Sequence, residues 1–550
     1  MKKVKLYKDK KEVCYDIDIK SGVKSVTLYA NGIELRNVKK TFPDVQTLVL
    51  GPNVEFVHIS NKMFPNVRMI KSFSPLFMDG SSSLVLCTTT LSYHRERILY
   101  NTFCLNSNEV LNLSDITTIE DYAMDGCCTK DVVNVNALER CKESAFVGSV
   151  FEKEPLLFGG KVVNHTDKKL GIIDFSEIKC IRDNVDMSPL DGILVKSLRE
   201  IDRLRDYFKN NPNVIFNNLY IKDAAIMNNL SCSWHHIIGS LPCLNINIIN
   251  RTSFFSDNGI LYRAFCGKRI LWLCPRNRQG QIVIPDGVTH IGNGAFLGCK
   301  ISTVISPDSL KHIEYEAFAY SQIQKIYLAH NLNTIGVRAF WGCKQLFDIN
   351  LKDINLKCVE EDAFSGCINL QTVELPASLN FLGSRAFIST KEIKFQRFNN
   401  EFLNAVVDRV RLYTEKDNMY TKVICMGRTF YMPVFVSKNV IADLDLSQED
   451  GELLYNKSIS VRCKQETAIA VYKETGNNIA YSYLKRTALN IGQRLLKEDR
   501  ESDFVDFIHL VKPSRSTLDK LLKIMDETDF VSAKAYVLSE LKGTKVNFTL

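Results

Sequence analysis

The chain has 550 residues, 45% of them hydrophobic and 24% charged, the balance of an ordinary globular protein. No apolar run approaches the ~20 residues that a bilayer-spanning helix needs. Composition therefore excludes a membrane-spanning chain and fits a soluble one with a net charge of +8.

Positions 1–40 carry eleven Lys/Arg, so much of the positive charge sits at the front. The opening MKKVKLYKDKKEVCYDIDIK is basic but has no apolar stretch after it, unlike a signal peptide. A cytoplasmic protein is expected, with a cell-surface or secreted one, its leader missing, as the alternative. A basic edge could meet an acidic partner or nucleic acid. The plainer reading of residues 1–40 is a solvated Lys-rich cap, with nucleic acid not expected as a partner.

Repetition begins near residue 41. Phe42-Pro43-Asp44-Val45 recurs as Phe64-Pro65-Asn66-Val67, and Ala123-Met124 recurs at the same offset as Ala145-Phe146. Five Ala-Phe pairs then follow, at Ala295-Phe296, Ala317-Phe318, Ala339-Phe340, Ala363-Phe364 and Ala386-Phe387. An aliphatic residue stands four before each Ala: Ile291, Ile313, Ile335, Val359 and Leu382. These and Phe296, Phe318, Phe340, Phe364 and Phe387 are the expected structural core. Each unit also has an alternating apolar segment, such as Ile326-Tyr327-Leu328, which suits a strand with one buried face. One short strand per repeat of about 22 residues predicts an α/β-repeat solenoid of leucine-rich repeats, each coil a strand plus a turn or helix. A lone coil cannot bury its apolar edge, so neighbours must stack.

The solenoid is expected over 41–395, most regular at 281–395 and irregular at 190–250, where 197–209 reads as a helix. Apolar runs on either side of turns predict β-hairpins inserted near 75–87, 155–163 and 258–274. The slot four after the Ala holds Cys127, Cys299, Cys343 or Cys367, and Ser149, Ser321 or Thr390 elsewhere, so it wants a small buried side chain. Seventeen Cys, an odd count, then read as free thiols of a reducing compartment. Residues 396–464 form a β-rich connector with a hairpin across Met426-Gly427-Arg428. From 465 to 550 the period becomes helical, with Leu484, Ala488, Ile491 and Leu495 on one face. A Ser516/Asp519 pair opens a later helix, and Gly543 closes the last.

The unit IPDGVTHIGNGAFLGC (284–299), echoed by LPASLNFLGSRAF (375–387), resembles the BspA-type leucine-rich repeat family. The match is specific across 281–395 and looser across 107–150. The helical tail, 466–550, looks loosely like the ankyrin-like tails of some members. The resemblance implies a binding scaffold, and many members are surface proteins that attach to host proteins or other cells.

Catalysis needs convergent groups, and no such set is found, so the chain is not expected to be an enzyme and no cofactor is expected. Cys232-Ser233-Trp234-His235-His236 has metal-like spacing but lacks a second ligand pair, so no metal site is expected. Binding is expected on outward strand positions, which form columns across stacked coils. The candidate protein-binding face is Val283, Thr303, Ile305, Lys325, Tyr327, Asp348, Asn350 and Glu374. The expected function is a non-catalytic scaffold for an unidentified protein partner; the alternatives are an adhesin and a nucleic-acid accessory acting through the basic N-terminus.

Overall fold

Alternating segments such as Thr47-Leu48-Val49-Leu50 become strands because one set of side chains can be buried while the other faces water. The computed structural model describes residues 5–8, 11–79, 83–89, 95–223, 237–408, 419–436, 452–457, 459–525 and 530–542. They divide into two units, 1–260 and 261–550. Both are built from β-solenoid coils, and the second adds a C-terminal helical region.

In the first unit, Ser25–Leu28, Thr47–Leu50 and Met69–Ser72 pair in parallel, in register and at equal sequence spacing. The ladder thus reaches back into the segment read as a cap. Behind it, Gly32–Leu35 pairs with Phe56–Ile59, and the hairpin Lys5–Lys8/Lys11–Cys14 adds to that sheet. Two inserted hairpins differ in outcome. Leu156–Leu157 and Val162–Val163 pair as expected. The earlier hairpin instead joins Leu84–Thr89 to Arg95–Asn101. Residues 75–79 meet it through a bond from the Met78 N–H to the Val85 carbonyl but supply no strand. Pro75 has no N–H for a ladder, and Phe77 is drawn into the core.

The region expected to be irregular holds a helix and long strands. Helix α1 (Leu198–Asn210) buries Ile201, Leu204 and Phe208. Glu200 reaches back to accept from the Lys196 N–H at 2.7 Å and the Ser197 hydroxyl at 2.8 Å, closing the helix start. The long strands Phe216–Asp223 and Cys243–Asn250 then pair in parallel.

The second unit begins with an antiparallel hairpin, Leu261 opposite Leu273, turning through Cys266-Gly267. Two-residue strands follow in parallel: His290–Ile291, His312–Ile313, Thr334–Ile335, Cys358–Val359 and Phe381–Leu382. The other side of each coil carries the longer strands of the candidate face. Turns, rather than helices, close the coils over 292–389. The residue before each Ala is left-handed: Gly294, Glu316, Arg338, Asp362 and Arg385 have φ of 61°, 50°, 55°, 55° and 57°. The five phenylalanines behind these turns are fully buried and stacked, with centroids 4.7, 4.8, 4.9 and 4.9 Å apart. Burying each contributes about 2 kcal/mol.

The small-residue slot also has a polar duty. The Cys343 thiol donates to the Phe318 carbonyl at 3.0 Å, and Cys367 to Phe340 at 3.1 Å, each tying a coil to its predecessor. The fifteen cysteines whose side chains are described are free thiols.

Parallel pairing continues past Phe395: Tyr420–Cys425 adds to Glu392–Phe395 and turns back as Arg428–Pro433 through Met426-Gly427. Helices α2 (Val461–Thr475), α3 (Asn478–Lys497), α4 (Glu501–Val511), α5 (Arg515–Met525) and α6 (Val531–Lys542) follow. Leu484, Ala488, Ile491 and Leu495 face their common core. The first of them starts at Val461, where the Ser460 side chain accepts from the Cys463 N–H. Ser514 caps α5, accepting from the Thr517 N–H, in place of the expected Ser516. Gly543 lies outside the described residues.

Candidate protein-binding face

Strand pairing brings the candidate residues into columns. Gln281, Thr303, Lys325 and Asp348 are direct neighbours across four parallel strands, as are Val283, Ile305 and Tyr327 across three. Between the columns Ile282, Val304 and Ile326 point inward and are buried, which holds the outward set in place. Val283 is 63% exposed and Tyr327 45%, so nothing among the described residues covers this face.

The face ends sooner than the sequence suggests. Strand pairing runs from Gly280–Val283 to Asp348–Ile349 and resumes only at Thr372–Leu375, in a separate sheet. Asn350 closes the first sheet with its side chain: the amide accepts from the Leu328 N–H at 2.6 Å and donates to the Leu328 carbonyl at 2.8 Å. It thereby substitutes for a strand rung. Glu374 belongs to the second sheet and pairs with Lys352 at 3.1 Å, which holds its carboxyl below the usual range.

One residue was missed. Phe347 is 51% exposed and lies under the Lys325 ammonium, 5.3 Å from the ring centroid. It directly precedes Asp348, out of phase with the alternation, so a period-2 reading passes over it. Lys325 also lies 3.6 Å from Asp348, which leaves the face apolar at one end and locally neutral at the other. Such exposed pairs contribute under about 1 kcal/mol each.

A groove of about 1030 Å³ lies farther along the same unit, between the hairpin Tyr420–Pro433 and the helices. Several of its charges are paired. Glu466 meets Arg494 at 2.7 Å and Arg500 at 2.8 Å, and Glu498 meets Arg462 and Arg494 at 3.2 Å. Lys422 ties the hairpin to α2 through Glu474 at 2.7 Å, which raises the ammonium's pKa and lowers the carboxyl's. Among the described residues no group of three or more His, Cys, Asp and Glu could hold a metal ion. The Cys232–His236 cluster lies outside them.

Residues 276–394, which hold these coils, match the BspA type leucine rich repeat region in six copies. This stretch is a BspA-type leucine-rich repeat region. No curated protein sequence matches the chain. Among solved structures, the T. pallidum leucine rich repeat protein TpLRR is 26% identical over 24% of this chain and 68% of its own, with a TM-score of 0.23. A leucine rich cell surface protein from Faecalibacterium prausnitzii is 15% identical over 61% of this chain and 99% of its own, with a TM-score of 0.28. The pneumococcal vaccine antigen PcpA is 13% identical over 66% and 94%, with a TM-score of 0.29.

Proposed function

We propose that the chain is a non-catalytic protein-interaction scaffold whose BspA-type repeats present the 281–350 strand face to a protein partner. One observation carries this reading: Val283, the half-buried Ile305 and Tyr327 stand outward in one column of a sheet, Phe347 is exposed directly before its last strand, and Lys325 beside them is paired with Asp348. A contiguous apolar face with an aromatic residue and no unmatched charge suits a protein surface better than an ionic ligand. The test is capture of partners by the full chain beside Tyr327→Ala and Ile305→Lys variants. Both changes are solvent-facing, so melting should be unaltered while capture falls. Unchanged capture by folded variants would remove this face from the function.

The cellular location is a separate measurement. Among the described residues no helix is long and apolar enough to cross a membrane. A surface role predicts recovery in the cell-surface or secreted fraction, and recovery in the cytosol alone would favour an internal scaffold.

A further inference from the structure

The most exposed aromatic rings among the described residues are not on that face. They are Phe73, 70% exposed, and Tyr29, 62% exposed, both in the first unit. Each directly follows a strand of the Ser25–Leu28, Thr47–Leu50, Met69–Ser72 sheet, and the register places Tyr29, Gly51 and Phe73 in one row. The Phe73 N–H donates to the Leu50 carbonyl and the Gly51 N–H to Leu28, so the row continues the sheet. Gly51 is needed there: a Cβ on it would lie 3.0 Å from Tyr29 Cδ1. The Tyr29 ring leans over Gly51, which is itself buried. Two strand steps set the Tyr29 and Phe73 backbones about 10 Å apart, so the two exposed rings can meet separate bases of one strand.

Charge separates this face from the one at 281–350. Lys71 is exposed on the same face two residues before Phe73, Lys20 and Lys24 are exposed ahead of the strand Ser25–Leu28, and none of the three has a carboxylate partner among the described residues. Two exposed carboxylates border the sheet and are held by backbone N–H groups. Asp44 accepts from the Gly22 N–H at 2.8 Å, and Asp79 from the Ser72 N–H. In the second unit the corresponding lysines are matched, Lys325 by Asp348, Lys352 by Glu374 and Lys394 by Glu392. A ligand for the first unit's face therefore brings negative charge as well as planar groups.

We propose that this sheet face of the first unit binds single-stranded nucleic acid, with Tyr29 and Phe73 stacking bases and Lys20, Lys24 and Lys71 meeting phosphates. An acidic peptide would satisfy the lysines but leave two exposed ring faces without planar partners, whereas every base offers a π-face. The row of rings is not visible in the sequence, because Tyr29 and Phe73 are brought together only by stacking three coils.

The test is fluorescence anisotropy of the full chain with labelled oligo-dT and oligo-U, with hexaglutamate as competitor. Binding should weaken steeply with salt, and Lys24→Gln/Lys71→Gln should flatten that dependence. Tyr29→Ala and Phe73→Ala should each weaken binding about five- to a hundredfold, as loss of one stacked base does. Both residues are exposed, so the circular dichroism melt should not move. Tyr327→Ala should leave oligonucleotide binding unchanged, which separates this proposal from the protein-binding face. No binding at low salt, ring variants that bind normally, or hexaglutamate competing as well as an oligonucleotide would each overturn it.

Discussion

Arg385 grips Asp362 with two arms of its guanidinium, Nε 2.8 Å from Oδ1 and Nη2 2.8 Å from Oδ2. The Asp362 side chain is only 3% exposed, and Arg338 approaches its other side at 3.7 Å. All three residues hold the left-handed turn position of successive coils, so the turns are laced by alternating charge. Removing one partner of a buried pair leaves the other's desolvation uncompensated. Arg385→Ala is expected to cost about 3 kcal/mol, near the low end for buried pairs because Arg338 remains. Asp362→Asn with Arg385→Met should cost less than Arg385→Ala alone. Denaturant titration of the three chains checks the order.

Three residues after the Ala, successive coils place Gly298, Tyr320, Gly342 and Gly366, all at positive φ. The Tyr320 ring lies where a Cβ on Gly342 would sit, 2.7 Å away. Gly342→Ala therefore meets both a left-handed backbone and a clash, and should destabilise by more than about 1 kcal/mol. In a Tyr320→Gly background the clash is gone and part of that loss should return. A double-mutant cycle on thermal midpoints measures the coupling; strict additivity would deny the contact.

Phe340 sits mid-stack, 4.8 Å from Phe318 and 4.9 Å from Phe364. Phe340→Ala should cost about 3–5 kcal/mol, and hydrogen exchange should quicken first in the flanking coils, since each repeat leans on its neighbours. Uniform acceleration across the whole chain would indicate a single cooperative unit instead.

His290 and His312 stack at 4.6 Å on the short-strand face. Burial, then His312, Lys268 and Lys311, hold the His290 pKa down to about 4 from 6.5; burial and the same two lysines lower that of His312. The unfolded chain therefore takes up these protons first. Their contribution to stability is complete above about pH 6.5 and is lost as pH falls toward 4. Glu314 nearby, pushed up by burial, acts in the opposite sense and blunts the slope. His290→Phe/His312→Phe keeps two stacked rings and should flatten the pH dependence of the melting temperature in that window. An unchanged slope would place the acid sensitivity elsewhere.

The Ala-Phe turns were legible because their period is nearly constant and their side chains are uniformly buried; the same alternation placed Val283, Ile305 and Tyr327 outward in register. Three features escaped for physical reasons. Phe347 lies out of strand phase. Asn350 ends the sheet by a side-chain hydrogen bond that no hydropathy pattern encodes. Tyr29 and Phe73 stand two coils apart with Gly51 between them, and only the parallel register puts them in one row. The hairpin near 84 was misplaced because Leu76-Phe77-Met78 looks strand-like in composition, yet Pro75 has no N–H for a ladder and Phe77 is spent in the core.

The phenylalanine stack has one more consequence. The chain spends two more residues between Phe340 and Phe364 than between Phe318 and Phe340, yet the rings remain 4.9 Å apart. One extra residue is taken up in the turn before Asp348 and the other in the loop after Ile349, where the outer sheet breaks. The rise of the molecule is thus counted in rungs rather than residues. Such a chain can lengthen a loop, or admit a whole hairpin, without displacing the coils on either side, leaving its surface free to change while its spacing stays constant.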